Sequence, residues 1–187
     1  MKKTIFITGA TSGIGKATAE VFAKQGHRLI ICGRRKEVLD NLQIQLSNFT
    51  DVYSLVFDVR NQQEVQNAIN SLPEDWKNID VLVNNAGNAH GLEPISDANI
   101  SDWDAMMDGN VKGLLYVSQP IIKLMKANNS GHIVNISSVA ARQTYANGTV
   151  YCASKKAVDV ISEGMRLELT EFGIKVTNIQ PGAVETD

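Results

Sequence analysis

At 187 residues, 43% of them hydrophobic, the chain has the length and apolar content of a single globular domain. A net charge of -2 and the lack of a dense basic run give no electrostatic basis for binding nucleic acid or an acidic membrane, and no stretch approaches the ~20 apolar residues of a membrane span. Two cysteines, Cys32 and Cys152, cannot frame a disulfide scaffold and suit a reducing compartment, so the expected location is the cytoplasm.

Residues 5–7 are all apolar and read as a short buried strand, too short after Lys2-Lys3 for the apolar core of a signal peptide. The strand breaks into Thr8-Gly9-Ala10-Thr11-Ser12-Gly13-Ile14-Gly15, after which Ile14, Ala17, Val21 and Phe22 recur at helical spacing. A strand, a glycine turn and a helix N-terminus in that order make an anion site. The glycines let the backbone turn and approach a ligand, while the helix aims unpaired N–H groups and the positive end of its dipole at the turn. The spacing G-x-x-x-G-x-G differs from the common G-x-G-x-x-G fingerprint, but its place between strand and helix points to a pyrophosphate.

Gly26 reads as the helix stop, residues 29–32 as a second strand ended by Gly33, and Val38, Leu39, Leu42 and Leu46 as the next helix. Residues 52–57 form a third strand, followed by a helix marked by Val65, Ala68, Ile69 and Leu72, with Asn61 and Glu64 spaced as a capping box. A fourth strand over 79–83 runs into Asn84-Asn85-Ala86-Gly87. From Trp103, the residues Met106, Met107, Val111, Leu114, Ile121 and Met125 keep helical spacing to Ala127, which predicts one helix bent at Pro120. Residues 132–136 make a fifth strand, 150–172 a long helix, and 175–179 a sixth strand stopped by Pro181-Gly182. Strict alternation of strand and helix requires crossover connections. The expected fold is α/β: one doubly wound parallel sheet with helices on both faces, spanning 1–187 as a single domain.

In such a fold the end of the second strand meets the adenosine ribose, where an acid binds a free 2′-hydroxyl. Gly33-Arg34-Arg35-Lys36 stands there instead. Two guanidiniums hold a 2′-phosphate through charge-assisted bonds, which favours NADP over NAD; the alternative is a pair of solvated charges opening a helix. Glu37 falls in the first helical turn, where the dipole alone accounts for an acid. Asp58 and Val59, at the end of the third strand, are placed to meet the adenine, and Asp58 is equally suited to cap the following helix.

The chemistry concentrates in Tyr151-Cys152-Ala153-Ser154-Lys155 and in Ser138, which follows the fifth strand at the ligand-binding edge of the sheet. Tyr151 and Lys155 are i and i+4 and share a helix face. A phenol at its ordinary pKa of ~10 is a poor base near neutrality. A cation ~4 Å away, at an effective dielectric of ~20, supplies about 4 kcal/mol, equivalent to about three units. Lys155 can be that cation. The histidines His27, His90 and His132 are too scattered for a metal site.

Taken together, Thr8-Gly9-x-x-x-Gly13-x-Gly15, Asn84-Asn85-Ala86-Gly87, Asn110, Ser138, Tyr151-x-x-x-Lys155 and Pro181-Gly182 resemble the short-chain dehydrogenase/reductase family along the whole chain. The resemblance implies a Rossmann domain that carries both cofactor and catalytic residues and transfers hydride between NADP and an alcohol or ketone. It implies Tyr151 as acid/base, Ser138 as donor to the substrate oxygen, Lys155 as holder of the nicotinamide ribose, and Asn110 as anchor of a water in a proton relay. It places Gly9, Ser12, Gly13, Ile14 and Gly15 against the cofactor phosphates and Asn85, Ala86 and Gly87 along the adenosine side. After Pro181-Gly182, the backbone of Val184 and the hydroxyl of Thr186 would meet the nicotinamide carboxamide.

A narrower similarity, in Leu72-Pro73-x-x-Trp76-x-Asn78-Ile79-Asp80, Gly91-Leu92-Glu93-Pro94 and Gly33-Arg34-Arg35, is to the NADP-dependent 3-hydroxy acid dehydrogenase branch. It implies serine, L-allo-threonine and related acids as substrates. A 3-oxoacyl or general carbonyl reductase, and a non-catalytic NADP-binding sensor, are the alternatives. Asn88, Ala89 and His90, with residues 142–145, are the expected substrate pocket, although His90 reads more readily as an exposed loop residue than as a substrate ligand, and Arg142 is a candidate for either a carboxylate clamp or a surface charge. Family members run on into a lid and a further strand, which this sequence is expected to lack. The helices over 103–127 and 150–172 carry apolar residues on more than one face, Leu115 and Leu124 among them, and a homodimer or homotetramer built on them is expected.

Overall fold

In the computed structural model, which describes residues 2–186, the strands are β1 (Thr4–Ile7), β2 (Arg28–Gly33), β3 (Val52–Val56), β4 (Val81–Asn84), β5 (Gly131–Ile136) and β6 (Ile174–Ile179). All six are parallel, in the order β3-β2-β1-β4-β5-β6. The chain winds outward from β1 to β3, then crosses back to β4 on the other side of β1. That reversal opens a crevice between the C-terminal ends of β1 and β4, the place where doubly wound sheets take their ligands.

The helices are α1 (Gly13–Lys24), α2 (Lys36–Leu46), α3 (Gln62–Asn70), α4 (Ile100–Met107), α5 (Gly113–Ala127) and α6 (Thr149–Leu169). Alternate strand residues feed two apolar layers. Ile5, Ile7, Leu29 and Ile31 pack with Ala19 and Ala23 of α1 and Leu39 and Leu42 of α2. Phe6, Ile30, Leu82 and Ile133 point the other way, against Leu114, Val117 and Ile121 of α5 and Val158 of α6. Each fully buried side chain of this size stabilises by about 1.5–3 kcal/mol. Burial on both faces explains why these strands read as continuous apolar runs.

Asn61, rather than Asp58, caps α3, its Oδ1 accepting from the N–H of Gln63 (3.1 Å) and Glu64 (3.2 Å). The reciprocal half of the expected capping box does not form, since Asn61 N donates to Asp58 O (3.0 Å) and Glu64 Oε2 accepts from Asp58 N (3.0 Å). Two further details differ from expectation. The fourth strand begins at Val81, since Asp80 instead exchanges bonds with Thr4 below the end of the strand, its N–H to Thr4 O (2.9 Å) and its Oδ2 from Thr4 N (2.7 Å). The single helix predicted over 103–127 is interrupted by a π-helical turn, Asp108–Lys112, between α4 and α5, whereas α5 continues through Pro120. Gly109 and Gly113 flank Asn110 there, and a Cβ at Gly113 would lie 2.8 Å from Val59, so the turn needs a residue without a side chain. Such turns gather at functional sites; here it carries Asn110. No helix among the described residues is long and apolar enough to cross a membrane.

Candidate active site

A cleft of about 470 Å³ runs along the C-terminal ends of the strands. At its centre is the glycine turn. Gly9 adopts φ +63, and a Cβ there would come within 2.9 Å of Ala86 Cα, so the turn closes onto β4's exit only with glycine. Gly15 is still tighter: a Cβ would lie 2.3 Å from Gly9 O. Asn85 braces this arrangement, its Nδ2 donating to Thr8 O (3.0 Å) and Gly9 O (3.1 Å), while Thr8 Oγ1 accepts the N–H groups of Asn85 and Ala86. Ser12 precedes α1 without a side-chain cap, and the first turn of α1 holds no acid. Its opening N–H groups lack intrahelical acceptors and face the cleft with the positive end of the dipole.

At one end of the cleft lies the basic group. Arg35 Nη2 donates to both the carbonyl and the hydroxyl of Thr11, at 3.1 Å each. Arg34 Nη1 stands 3.8 Å from Asp58 Oδ2. Asp58 is itself gripped by Arg60, whose Nη2 reaches Oδ2 at 2.6 Å and whose Nε lies 3.0 Å from Oδ2 and 3.1 Å from Oδ1. Burial raises the Asp58 carboxyl, but Arg60 outweighs it and holds the group below its ordinary value. The Asp58 carboxylate is thus an anchor for cations before it is a group for a ligand.

The other end carries Ser138, Tyr151 and Lys155. Ser138 leaves β5 in extended conformation and caps a short 3-10 turn, its Oγ accepting from Ala140 N at 3.1 Å. Lys155, 6% exposed, donates to Ile136 O at 3.0 Å, and its Nζ lies 5.9 Å from the centre of the Tyr151 ring. Burial lowers its ammonium to about 8. Asn110 is buried behind this wall. Its Oδ1 accepts from Asn88 N (2.8 Å), and its Nδ2 donates to Asn88 O (2.9 Å) and Ser154 Oγ (3.0 Å), which passes a bond on to Tyr151 O (2.7 Å). Gly87 sits between the two groups: a Cβ there would meet Asn110 Oδ1 at 2.8 Å and Lys155 Nζ at 3.4 Å.

The cleft therefore brings together Gly9, Ser12, Gly13, Ile14, Arg34, Arg35, Asp58, Val59, Asn85, Ala86, Gly87, Ser138, Tyr151, Lys155, Pro181, Gly182, Val184 and Thr186. Gly15 and Asn110 stand behind the lining, one as a close-packing position and the other as a brace. Of the expected substrate pocket, Asn88 and Ala89 line the cleft, while His90, itself exposed, lines an adjoining crevice with Trp103, Met106 and Tyr151, and Arg142 is exposed. Sequence reasoning missed Thr11, Arg60, Ser137 and Ser154. The i, i+2 pair of Asp58 and Arg60 was the one visible signal. No group of His, Cys, Asp and Glu among the described residues could hold a metal ion.

Fold and cleft together define a dinucleotide-binding α/β domain with a Ser-Tyr-Lys wall beside the cofactor groove. The chain belongs to the short chain dehydrogenase family, whose pattern matches residues 3–187. It is 43% identical over 180 residues to the NADP-dependent 3-hydroxy acid dehydrogenase YdfG of Escherichia coli O6:H1, a match covering 96% of this chain and 72% of that protein. Sulfoacetaldehyde reductase 2 of Chromohalobacter salexigens is 40% identical, over 100% of this chain and 75% of its own. Among solved structures, the closed form of serine dehydrogenase complexed with NADP+ superposes with a TM-score of 0.92 at 42% identity, covering 97% of this chain and 73% of that one.

Proposed function

We propose that the chain is an NADP-dependent oxidoreductase that interconverts a secondary alcohol and a ketone by hydride transfer, acting on small 3-hydroxy acids such as serine or L-allo-threonine. The observation that carries this reading is the meeting of Ser138, Tyr151 and Lys155 on one wall of a cleft that also holds the open N-terminus of α1. The residues fit a dinucleotide phosphate. The uncapped, acid-free first turn of α1 suits a pyrophosphate, the Gly9 approach to Ala86 leaves no side chain in the groove, and Arg34 and Arg35 suit a 2′-phosphate. When bound, NADP supplies the hydride acceptor and NADPH the hydride donor.

The chain's own part is positioning and proton transfer. Ser138 donates a hydrogen bond to the substrate oxygen. Tyr151 takes the hydroxyl proton on oxidation and returns it on reduction. Lys155, whose Nζ lies beside the Tyr151 ring, would hold the ribose. Asn110, with both amide protons engaged, fixes the Asn88 loop and, through Ser154, the turn of α6 that carries Tyr151. Val184 and Thr186, beside the glycine turn, would border the nicotinamide.

The relative named sulfoacetaldehyde reductase favours a second reading, reduction of a small anionic carbonyl compound by the same groups. Turnover of NADP with 3-hydroxy acids, set against turnover of NADPH with small anionic aldehydes, separates the two. An equal lack of both, with NADPH bound, leaves only the sensor.

We further infer a homodimer or homotetramer. Leu115 of α5 and Val160 and Leu167 of α6 are exposed, Leu167 to 79%, whereas Leu124 packs on the core. A monomer in sedimentation at micromolar concentration would contradict this. Both cysteines are free and buried, in keeping with a cytoplasmic enzyme.

A further inference from the structure

Asp159 lies on α6 one turn beyond Lys155 and two beyond Tyr151, outside the groups assigned above. Its carboxylate accepts three side-chain hydrogen bonds from two other segments: Ser137 Oγ at 2.7 Å, Asn178 Nδ2 at 2.6 Å and Gln180 Nε2 at 2.7 Å. Ser137 is the immediate neighbour of Ser138, and Gln180 of Pro181. Ser137 Oγ also stands 3.1 Å from Lys155 O, so its proton is shared between the helix backbone and the carboxylate. Two backbone bonds run alongside, Ser137 N to Ile179 O (2.7 Å) and Val139 N to Pro181 O (3.0 Å).

The amides spend their donors here while their oxygens go without: Asn178 Oδ1 and Gln180 Oε1 are buried and unpartnered. Bare buried acceptors are rare in folded proteins and call for a reason. An acceptor-only carboxylate is the reason, because it fixes both amides with their N–H groups inward. Burial raises the Asp159 carboxyl, yet the three donors and nearby Lys156 outweigh it and keep it below the ordinary value.

We propose that Asp159 is a positioning residue: one carboxylate locks Ser138, the Tyr151 and Lys155 face of α6 and the Pro181-Gly182 stretch into a single reactive geometry. The proposal rests on the oxidoreductase reading. Asp159 touches neither cofactor nor substrate in it and acts through Ser137 and Gln180.

The test uses wild type, Asp159→Asn, Asp159→Glu and Ser137→Ala, comparing kcat, KM, NADPH affinity by fluorescence, melting temperature and crystal structures. Asp159→Asn keeps the shape but sets an amide N–H₂ against at least one donor. Since displacement of a reacting group by about 1 Å can lower the rate ~100-fold, kcat should fall about tenfold or more while NADPH affinity stays within about twofold. Asp159→Glu should restore part of kcat. A merely structural role would lower NADPH affinity and melting temperature along with kcat, and either that pattern or an unchanged kcat overturns the proposal. If Asp159→Asn does not fold, Ser137→Ala, which deletes one donor and leaves the carboxylate, decides by the same split between kcat and affinity. If wild type oxidises and reduces nothing, the oxidoreductase reading has failed, and the crystal structures decide: Ser138 displaced from Tyr151 in Asp159→Asn upholds the positioning role, and unchanged positions reject it.

Discussion

The half of the sheet made of β1, β2 and β3 is held by hydrocarbon, and the half made of β4, β5 and β6 is threaded with buried polar side chains. Thr4 and Thr8 apart, the buried polar groups are Asn84, Asn110, Ser118, Asn135, Ser137, Ser138, Ser154, Lys155 and Ser162, all in the second half. There Asn84 Nδ2 donates to Ser118 Oγ (2.8 Å) and Asn135 Oδ1 (2.9 Å), and Asn135 Nδ2 to Ser162 Oγ (2.9 Å), tying two strands to α5 and α6. The difference follows from what each half presents. In the proposed function phosphates are met by backbone N–H groups, aimed by the apolar layers that fix the strand and α1 together with the Asn85 and Thr8 bonds at the glycine turn. Proton transfer is done by side chains, and these keep one orientation only if their neighbours are hydrogen-bonded in one way.

The most damaging way to probe the contrast is Tyr151→Phe. Loss of the positioned acid/base should lower kcat by about 10³, with NADPH affinity unchanged in a fluorescence titration. A comparable loss of affinity would merge the two halves into one. On the cofactor side, Arg35→Ala should weaken NADP by roughly 10- to 100-fold, as one charge-assisted contact of about 1.5–3 kcal/mol is removed, and leave NAD almost untouched. An equal loss for both cofactors would mean that Arg35 only braces Thr11.

Matched core substitutions sharpen the comparison. Leu39→Ala, in the apolar half, should cost about 2–4 kcal/mol in urea unfolding with kcat preserved. Asn135→Ala should cost about 1–3 kcal/mol and yet lower kcat several-fold. If both act on stability alone, the polar network serves folding and not the site.

The smallest effect concerns Lys155. Its folded value of about 8 lies below the ordinary 10.5, so the native state binds fewer protons between those values. Stability should therefore rise as pH increases from about 8 towards 10.5, with the full penalty of the buried charge below pH 8. Lys155→Met should remove that slope and raise the melting temperature by a few degrees at neutral pH, a gain on the order of 1–3 kcal/mol. An unchanged slope would show that the ammonium is solvated in the native protein.

Much of this was legible in the residues. Strands buried on both faces announce themselves as apolar runs, and the glycine turn was legible from its place between a strand and a helix more than from its spacing, with Gly9 and Gly15 at positions where a Cβ would clash. The π-helical turn was hidden because Met106, Leu114 and Ile121 keep a helical rhythm across it and its extra residue is absorbed. The bonds of Asn84 and Asn135 were not legible, since nothing local reveals that each finds its partner on another element. His90 drew attention by its place after the fourth strand and Arg142 by its charge, but the direction of a loop side chain is set by tertiary contacts that the sequence does not display. Asp159 is the extreme case, as its donors lie 19 to 22 residues away in two different segments.

The most direct test of the account is absorbance at the NADPH band when the protein is given NADP with serine, L-allo-threonine and other small 3-hydroxy acids. The account predicts NADPH formation on the acids, weak with NAD and abolished in Tyr151→Phe. Tight NADPH binding with no turnover of any acid, or equal turnover by Tyr151→Phe, would contradict it.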